Sequence, residues 1–429
     1  MHTYRTGDQT YVRDINLSSV MRYIQSRTPI SRAQIAGLTG LNKSTVSSLV
    51  EDLIERGLVH EIGVTSSGTG RPSTLLEQNP QAGMIIGAEL GVDFYSVILT
   101  DFVGQMVWRR QKEADPNSEQ DVALSQLLEL VDEAAEIGRA RGARLLGVGV
   151  STPGTVNIES GILEFAPNLH WRHVPLQEIF SEHTSLPVMV DNDANAAALG
   201  EHLFGVARHA NDFIFVFTGV GIGGGLFLNG ELYRGASGFA GEIGHTTLMI
   251  EPFQSPCHCG NRGCWETYAN QYSIIESVRA RLEVRRNSLI PVLVAEHHSP
   301  ITLAIIIEAA KAGDSEAIEV LTEAGAAIGL GVANLINIFN PEMIVVGGPL
   351  SAAGQFLLPA ILERAQQRAL PDLQRQASII LSASGADASL IGAVALVVES
   401  ILHRPTRILR TNGGNSHPEE VKGGEQQGK

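Results

Sequence analysis

Residues 241–266 read GEIGHTTLMIEPFQSPCHCGNRGCWE and hold all three cysteines of the 429-residue chain, Cys257, Cys259 and Cys264, within eight positions. Cys-x-Cys with a third cysteine five residues on can set three thiolates around one ion. His245, twelve residues upstream, can supply the fourth ligand of a closed, structural zinc site. His258, inside the motif, competes for that fourth position. Gly260 and Gly263 permit the sharp turns this spacing needs, because glycine reaches positive φ without a Cβ penalty. A disulfide across so short a loop is disfavoured by its geometry, and the sulfur-rich set favours zinc over magnesium or calcium. Glu242 and Glu266 flank these ligands. Metal ligation would hold both carboxylates and the other face of His245 toward a common ligand, and such groups suit a sugar's hydroxyls.

Glu242-x-x-His245 followed by Cys257-x-Cys259-Gly-x-x-Gly-Cys264-x-Glu266 resembles the signature of the ROK family (repressors, open reading frames and sugar kinases). The resemblance covers residues 83–402. It implies an α/β, two-lobed, actin-like ATPase (ribonuclease H-like) body, with residues 83–195 plus 386–402 as the first lobe and 196–385, carrying the zinc loop, as the second. Asn192-Asp193 matches the family's Asn-Asp pair, and Asn168, in Pro-Asn-Leu-His-Trp, matches a second sugar-contacting loop. The implied sugar set is Asn168, Asn192, Asp193, Glu242, His245 and Glu266.

Periodicity along the body agrees with an α/β reading. Apolar β segments at 84–100 and 145–150 alternate with a helix at 121–141, and a new hairpin theme begins at Phe213, suggesting an internal duplication. Asp193 falls at a strand-to-helix corner, where the helix dipole favours the ionised carboxylate. In kinases of the family the equivalent aspartate is the general base; here it is expected to be vestigial. Thr218-Gly-Val-Gly-Ile-Gly-Gly-Gly225 resembles the second phosphate loop of those kinases, and Gly347-Gly348 their nucleoside-side glycines. Their first loop, Asp-x-Gly-Gly-Thr, is not reproduced. Glu89-Leu-Gly-Val-Asp93 places valine and an acid at its second glycine and threonine, and Asp93 would repel a triphosphate. A sensor derived from an enzyme is therefore expected, with an active sugar kinase, or a regulator controlled by a protein partner, as the alternatives.

The N-terminal 80 residues read as a winged helix-turn-helix. Leu17, Val20, Met21 and Ile24 recur at helical spacing over residues 16–26. Ser31 and Gln34 have capping-box spacing. A third helix over 43–56 turns Val46, Leu49, Val50 and Leu53 inward and leaves Asn42, Lys43, Ser44, Thr45, Ser47 and Ser48 outward, as a major groove requires. Ser31 and Arg32 join this set. A β-hairpin wing follows, and Gly70-Arg71-Pro72 at its tip resembles the family's wing, whose arginine can enter a narrow, A·T-rich minor groove. The expected partners are palindromic operator DNA bound by a homodimer or higher homo-oligomer, and a monosaccharide effector.

Composition bounds the rest. The net charge is −15, which argues against coating nucleic acid or acidic membranes. Residues 1–80 carry eight Lys/Arg against seven Asp/Glu, so DNA binding is electrostatically plausible only there. The polar opening and the lack of any apolar run approaching bilayer length predict a cytoplasmic protein without membrane insertion. Residues 403–429 are polar and Gly-rich and are expected to be disordered.

Overall fold

The computed structural model describes residues 9–65, 73–115, 118–248, 256–284 and 287–410. The chain divides into two compact units, residues 1–82 with 401–429, and residues 83–400.

In the first unit, helices α1 (Gln9–Ser26), α2 (Arg32–Thr39) and α3 (Lys43–Glu55) accompany three antiparallel strands, β1 (Ile30–Ser31), β2 (Val59–Thr65) and β3 (Ser73–Gln78), with β3 in the middle. Leu17, Val20, Met21, Ile24, Ile35, Val46, Leu49, Val50 and Leu53 form its core. Helix α1 begins seven residues before its expected start. Tyr11, Val12 and Ile15 are about half exposed there, so that stretch has no apolar stripe to read. The Ser31/Gln34 capping box closes the start of α2, and Asn42 Oδ1 accepts from the Thr45 N–H at 2.8 Å to start α3. Gly40, at φ 72°, makes the left-handed turn between them.

Two expectations for this unit are corrected. Residues 403–410 are ordered: His403 ends a helix, residues 405–407 form a 3-10 turn, and Pro405 and Ile408 are buried. Arg56 Nη1 donates to the Ile408 carbonyl at 2.5 Å, so a polar segment is ordered by a side chain some 350 residues away in sequence. The Ser31 hydroxyl, expected at the groove, is 5% exposed and engaged in the capping box. The wing tip with Gly70, Arg71 and Pro72, and residues 411–429, lie outside the described residues.

The second unit contains two five-stranded sheets of one topology. In the first, β4 (Met84–Leu90), β5 (Phe94–Asp101) and β6 (Met106–Glu113) form an antiparallel meander. After α4 (Gln120–Ala140), β7 (Leu145–Thr152) joins β4 in parallel. A small antiparallel sheet, β8 (Thr155–Asn157), β9 (Ile162–Ala166) and β10 (Trp171–Val174), and α5 (Leu176–Thr184) follow, before β11 (Val188–Asn192) completes the first sheet and α6 (Asp193–Leu203) leads on.

The second sheet repeats the scheme with β12 (Phe213–Thr218), β13 (Ile222–Leu228) and β14 (Glu231–Leu232). After α7 (Gln271–Val284), α8 (Ile290–His297), α9 (Leu303–Lys311) and α10 (Ser315–Phe339), β15 (Met343–Gly347) adds in parallel. Helices α11 (Gly354–Arg368) and α12 (Pro371–Gln374) precede the parallel β16 (Ser378–Leu381). Helix α13 (Ala388–His403) returns to the first sheet. The repeated topology matches the expected two-lobed actin-like fold.

One sequence statement is corrected, that no apolar run approaches bilayer length. Ser315–Phe339 (α10) and Gly385–His403 (α13 with the turn before it) are long and apolar enough to cross a bilayer, but more than half of the most apolar window of each is buried within the protein. Their apolar surface is used in the core.

The contact between α13 and the first sheet depends on glycine. A Cβ on Gly149 of β7 would stand 1.7 Å from the Ala393 carbonyl oxygen, and one on Gly87 of β4 would stand 2.8 Å from Val394. Gly149→Ala is therefore expected to destabilise the protein by at least about 2 kcal/mol, read as a lower urea midpoint with an unchanged slope.

Candidate ligand cleft and metal centre

A cavity of about 490 Å³ opens at the carboxyl ends of β4, β7 and β11, where open α/β sheets bind ligands. Its size lies within the range of small-molecule sites. The expected sugar set converges here: Asn168, Asn192, Asp193, Glu242, His245 and Glu266 all line it. Asn192 does so as a scaffold. Its Oδ1 caps α6 by accepting from Ala194 and Asn195, and its Nδ2 donates to the Gly154 carbonyl at 2.9 Å. Glu266 Oε2 lies 3.4 Å from the Ile222 N–H.

The four soft donors also converge. One ligand atom from each of His245, Cys257, Cys259 and Cys264 lies within 4.8 Å of the others. The Sγ atoms of Cys259 and Cys264 are 3.7 Å apart. That spacing matches the edge of a tetrahedron with Zn–S bonds of ~2.3 Å, about 3.8 Å. His245 offers Nδ1, 3.5 Å from Cys257 Sγ, while its Nε2 stands 3.7 Å from Glu242 Oε2. His258, the competing ligand, instead hydrogen-bonds Asn168 Oδ1 through Nδ1 at 2.9 Å.

Electrostatics modify one expectation. For Asp193 burial, reinforced by the charge of Glu242, outweighs the favourable helix start and raises the pKa to about 7 against the Ala194 N–H and Asn192. Glu89, on β4, was not singled out for this role from sequence. Burial, then the charge of Asp193, raises its pKa to about 8. The two carboxylates thus carry protons into the neutral range, where they can donate as well as accept.

Outside the expected sugar set the cleft adds three more acids, Glu89, Asp93 and Asp387, against one further basic lining among the described residues, Arg109. Arg109 pairs with Asp387 at 2.7 Å. Val92 is 7% exposed and packs into the core of the first lobe, while Asp93 Oδ2 accepts from Gln271 Nε2 at 3.2 Å. Arg109, Asp387 and Gln271 carried no readable signal, since they belong to no motif and meet only in the fold. Arg234 is a further such residue; it pairs with buried Asp191 at 2.6 Å and tethers the loop leading to Glu242.

In the first unit, Asn42, Lys43, Ser44 and Ser48 are exposed along the start of α3, with Thr45 and Ser47 half-buried. Asn42 Oδ1 is engaged in capping, and Arg32 pairs with Glu61 at 2.8 Å.

Fold and sites together define a two-lobed, kinase-like body joined to a helix-turn-helix unit. Residues 85–400 match the ROK family and residues 16–63 match the IclR helix-turn-helix domain. The chain belongs to the ROK family. It is 36% identical over 399 residues to the xylose repressor of Caldicellulosiruptor bescii, covering 93% of this chain and 99% of that one. A crystal structure of a ROK family transcriptional regulator, a homologue of the Escherichia coli Mlc protein, superposes with a TM-score of 0.76 at 29% identity, covering 91% of this chain and 97% of that one. A ROK glucokinase from Streptomyces griseus, in complex with glucose and AMPPNP, gives a TM-score of 0.65 at 30% identity, covering 73% of this chain and 99% of that one.

The raised carboxylates set a pH dependence. A buried acid whose pKa is raised in the folded state supports stability below its ordinary pKa and loses that support as pH rises through the raised value. For Glu89 the window runs from 4.5 to about 8. Glu89→Gln should match the parent in melting temperature near pH 4.5 and exceed it increasingly up to pH 8.

Proposed function

We propose that this chain is a DNA-binding repressor that responds to a monosaccharide, and that it controls genes of carbohydrate uptake or catabolism. The observation that supports this reading is that all six residues of the expected sugar set line one cavity, while the first-loop line Glu89–Asp93 in the same cavity lacks the second glycine and the threonine of a phosphate loop.

Asp193, Glu242, His245 and Glu266, with Asn168, would receive the sugar hydroxyls. His245 Nδ1 and the three thiolates would hold a structural zinc ion, which supplies a rigid cross-link to the loop. The donor set fits: three sulfurs, one imidazole, and one edge already at tetrahedral length. Cys257 Sγ now donates to Glu266 Oε1 at 2.9 Å. A thiolate cannot donate, so metal binding would free Glu266 for a hydroxyl.

Arg32, Asn42, Lys43, Ser44, Thr45, Ser47 and Ser48, with Gly70, Arg71 and Pro72 of the wing, are the candidate DNA contacts. A homodimer would present two α3 helices to a palindromic operator. D-Xylose and D-glucose are the effectors to test first, since a xylose repressor and a glucose-bound glucokinase are among the relatives.

A thermal-shift titration tests the cleft. D-Xylose or D-glucose should raise the melting temperature by mass action, and ATP with magnesium should add nothing and yield no ADP. Glu266→Gln removes one charged hydrogen-bond acceptor and should weaken sugar binding ten- to hundredfold. Turnover of ATP with sugar would restore the kinase reading. If no sugar shifts the protein, control by a protein partner becomes the better account.

Metal content is a separate test. One zinc per chain should be released by a thiol-blocking mercurial, and Cys264→Ser should lose both the metal and the sugar-induced shift. A metal-free protein with a full sugar response would contradict the structural role.

A further inference from the structure

The corner between β11 and α6 holds a buried acceptor that no protein group satisfies. Asn195, in the first turn of α6, is 4% exposed and lines the cleft. Its Nδ2 stands 3.5 Å from Oδ1 of Asp191, itself 1% exposed near the end of β11. An amide beside a carboxylate turns its NH2 toward it, because two oxygens would repel, and the Asn195 Oδ1 is thereby turned away. Among the described residues no donor reaches that Oδ1. Buried polar atoms in native proteins are overwhelmingly hydrogen-bonded, to protein or to water. One left unmet in a residue that lines a binding cleft marks a place for a bound group.

The surroundings hold this amide still. Asp191 Oδ2 receives Arg234 Nη2 at 2.6 Å, and Asp191 Oδ1 accepts the Asn192 N–H at 2.8 Å, so the carboxylate that orients Asn195 is fixed from two sides. Helix α6 is itself seated on glycine. A Cβ on Gly225 of β13 would stand 2.4 Å from the Ala194 carbonyl oxygen and 2.5 Å from the Ala198 Cβ. Ala194 and Ala198 therefore lie close against β13, which leaves the helix little room to turn Asn195 toward a protein donor. Asp193, of the expected sugar set, precedes Asn195 by two residues on the same helical turn, and both line the cavity. An acceptor so placed is pre-organised for a ligand that donates. A hydroxyl donates, whereas an ether oxygen, a fluorine or a deoxy carbon does not.

We propose that Asn195 is a further sugar-contacting residue, whose Oδ1 accepts a hydrogen bond from one hydroxyl of the bound monosaccharide and makes the cleft select for that hydroxyl, with Asp191 and Arg234 as the positioning residues that fix its amide. The proposal rests on the reading of the cleft as a sugar site. Asn195 stands outside the six residues of the expected set, and Arg234 acts on the ligand only through Asp191 and Asn195.

The test uses the full-length protein and the variants Asn195→Ala and Arg234→Lys. Calorimetric titration measures binding of D-xylose and D-glucose, and of analogues in which each hydroxyl in turn is replaced by fluorine, which is close to a hydroxyl in size but cannot donate. The parent should bind several analogues at least about tenfold more weakly than the sugar, because each leaves a buried partner unpaired. Asn195→Ala should bind the sugar about tenfold more weakly. It should lose discrimination at one hydroxyl only, to within about twofold, and keep it at the others, as two partners of one hydrogen bond require. Its ligand-free melting temperature should stay within about 3 °C of the parent, since the Oδ1 has no partner to lose. Arg234→Lys keeps the charge but not the planar fork, and should narrow discrimination at that same hydroxyl.

If the parent binds sugar and Asn195→Ala binds the sugar and every analogue as the parent does, the contact is refuted and the sugar site stands. Uniform weakening across sugar and analogues, with discrimination intact at every hydroxyl, also overturns it, by leaving Asn195 a structural role alone. Unchanged discrimination in Arg234→Lys would overturn the positioning role. A parent that binds neither sugar would refute the sugar site itself, and this contact with it.

Discussion

The seating of Trp265 is the contact on which both halves of the cleft's chemistry depend. Its side chain is 1% exposed, its Nε1 donates to the Ala327 carbonyl at 3.0 Å, and its ring occupies the space beside Gly331 of α10, where a Cβ would stand 2.1 Å from it. On either side are Cys264, of the sulfur cluster, and Glu266, of the sugar set. One buried indole seated against a long core helix therefore fixes Cys264 and Glu266 together. The same loop carries Cys257, whose thiol contacts Glu266 directly.

The cleft also explains how a kinase-like body can serve a sensor. Sugar recognition needs carboxylates and an imidazole close together, and the low dielectric that raises Asp193 and Glu89 toward neutrality makes them versatile partners for hydroxyls. Nucleotide recognition needs the reverse, glycine backbone and positive charge. Here Val92 packs into the lobe core, Asp93 faces Gln271, and the nearest arginine is neutralised by Asp387. A cleft that takes sugar alone leaves its binding energy free to bias conformation, provided that the sugar binds the two states unequally.

Much of this was legible in sequence for a physical reason. Metal ligands close in sequence must also be close in space, so Cys257, Cys259 and Cys264 announced their cluster, and the hairpins at Met84 and Phe213 announced two lobes of one topology. What was not legible depended on contacts distant in sequence. The small sheet of residues 155–174 consists of strands of three to five residues with mixed burial, too short for a clear period. Residues 403–410 read as a polar tail because their ordering partner, Arg56, follows α3 some 350 residues earlier in the chain. Arg109 and Asp387 gained meaning only when 278 residues of chain brought them together. At Asp193 the helix start that favours ionisation is visible in sequence, while the burial that opposes it is not.

The central claim is that sugar in the cleft and DNA on helix α3 are energetically coupled. Such coupling is reciprocal: the factor by which sugar changes DNA affinity must equal the factor by which DNA changes sugar affinity. The most direct measurement is calorimetric titration of D-xylose, or whichever sugar stabilises the protein, into the protein alone and into its complex with a saturating operator duplex. The account predicts at least tenfold weaker sugar binding to the DNA complex, with the same factor recovered from operator titrations. Equal sugar affinity in the two titrations would contradict it.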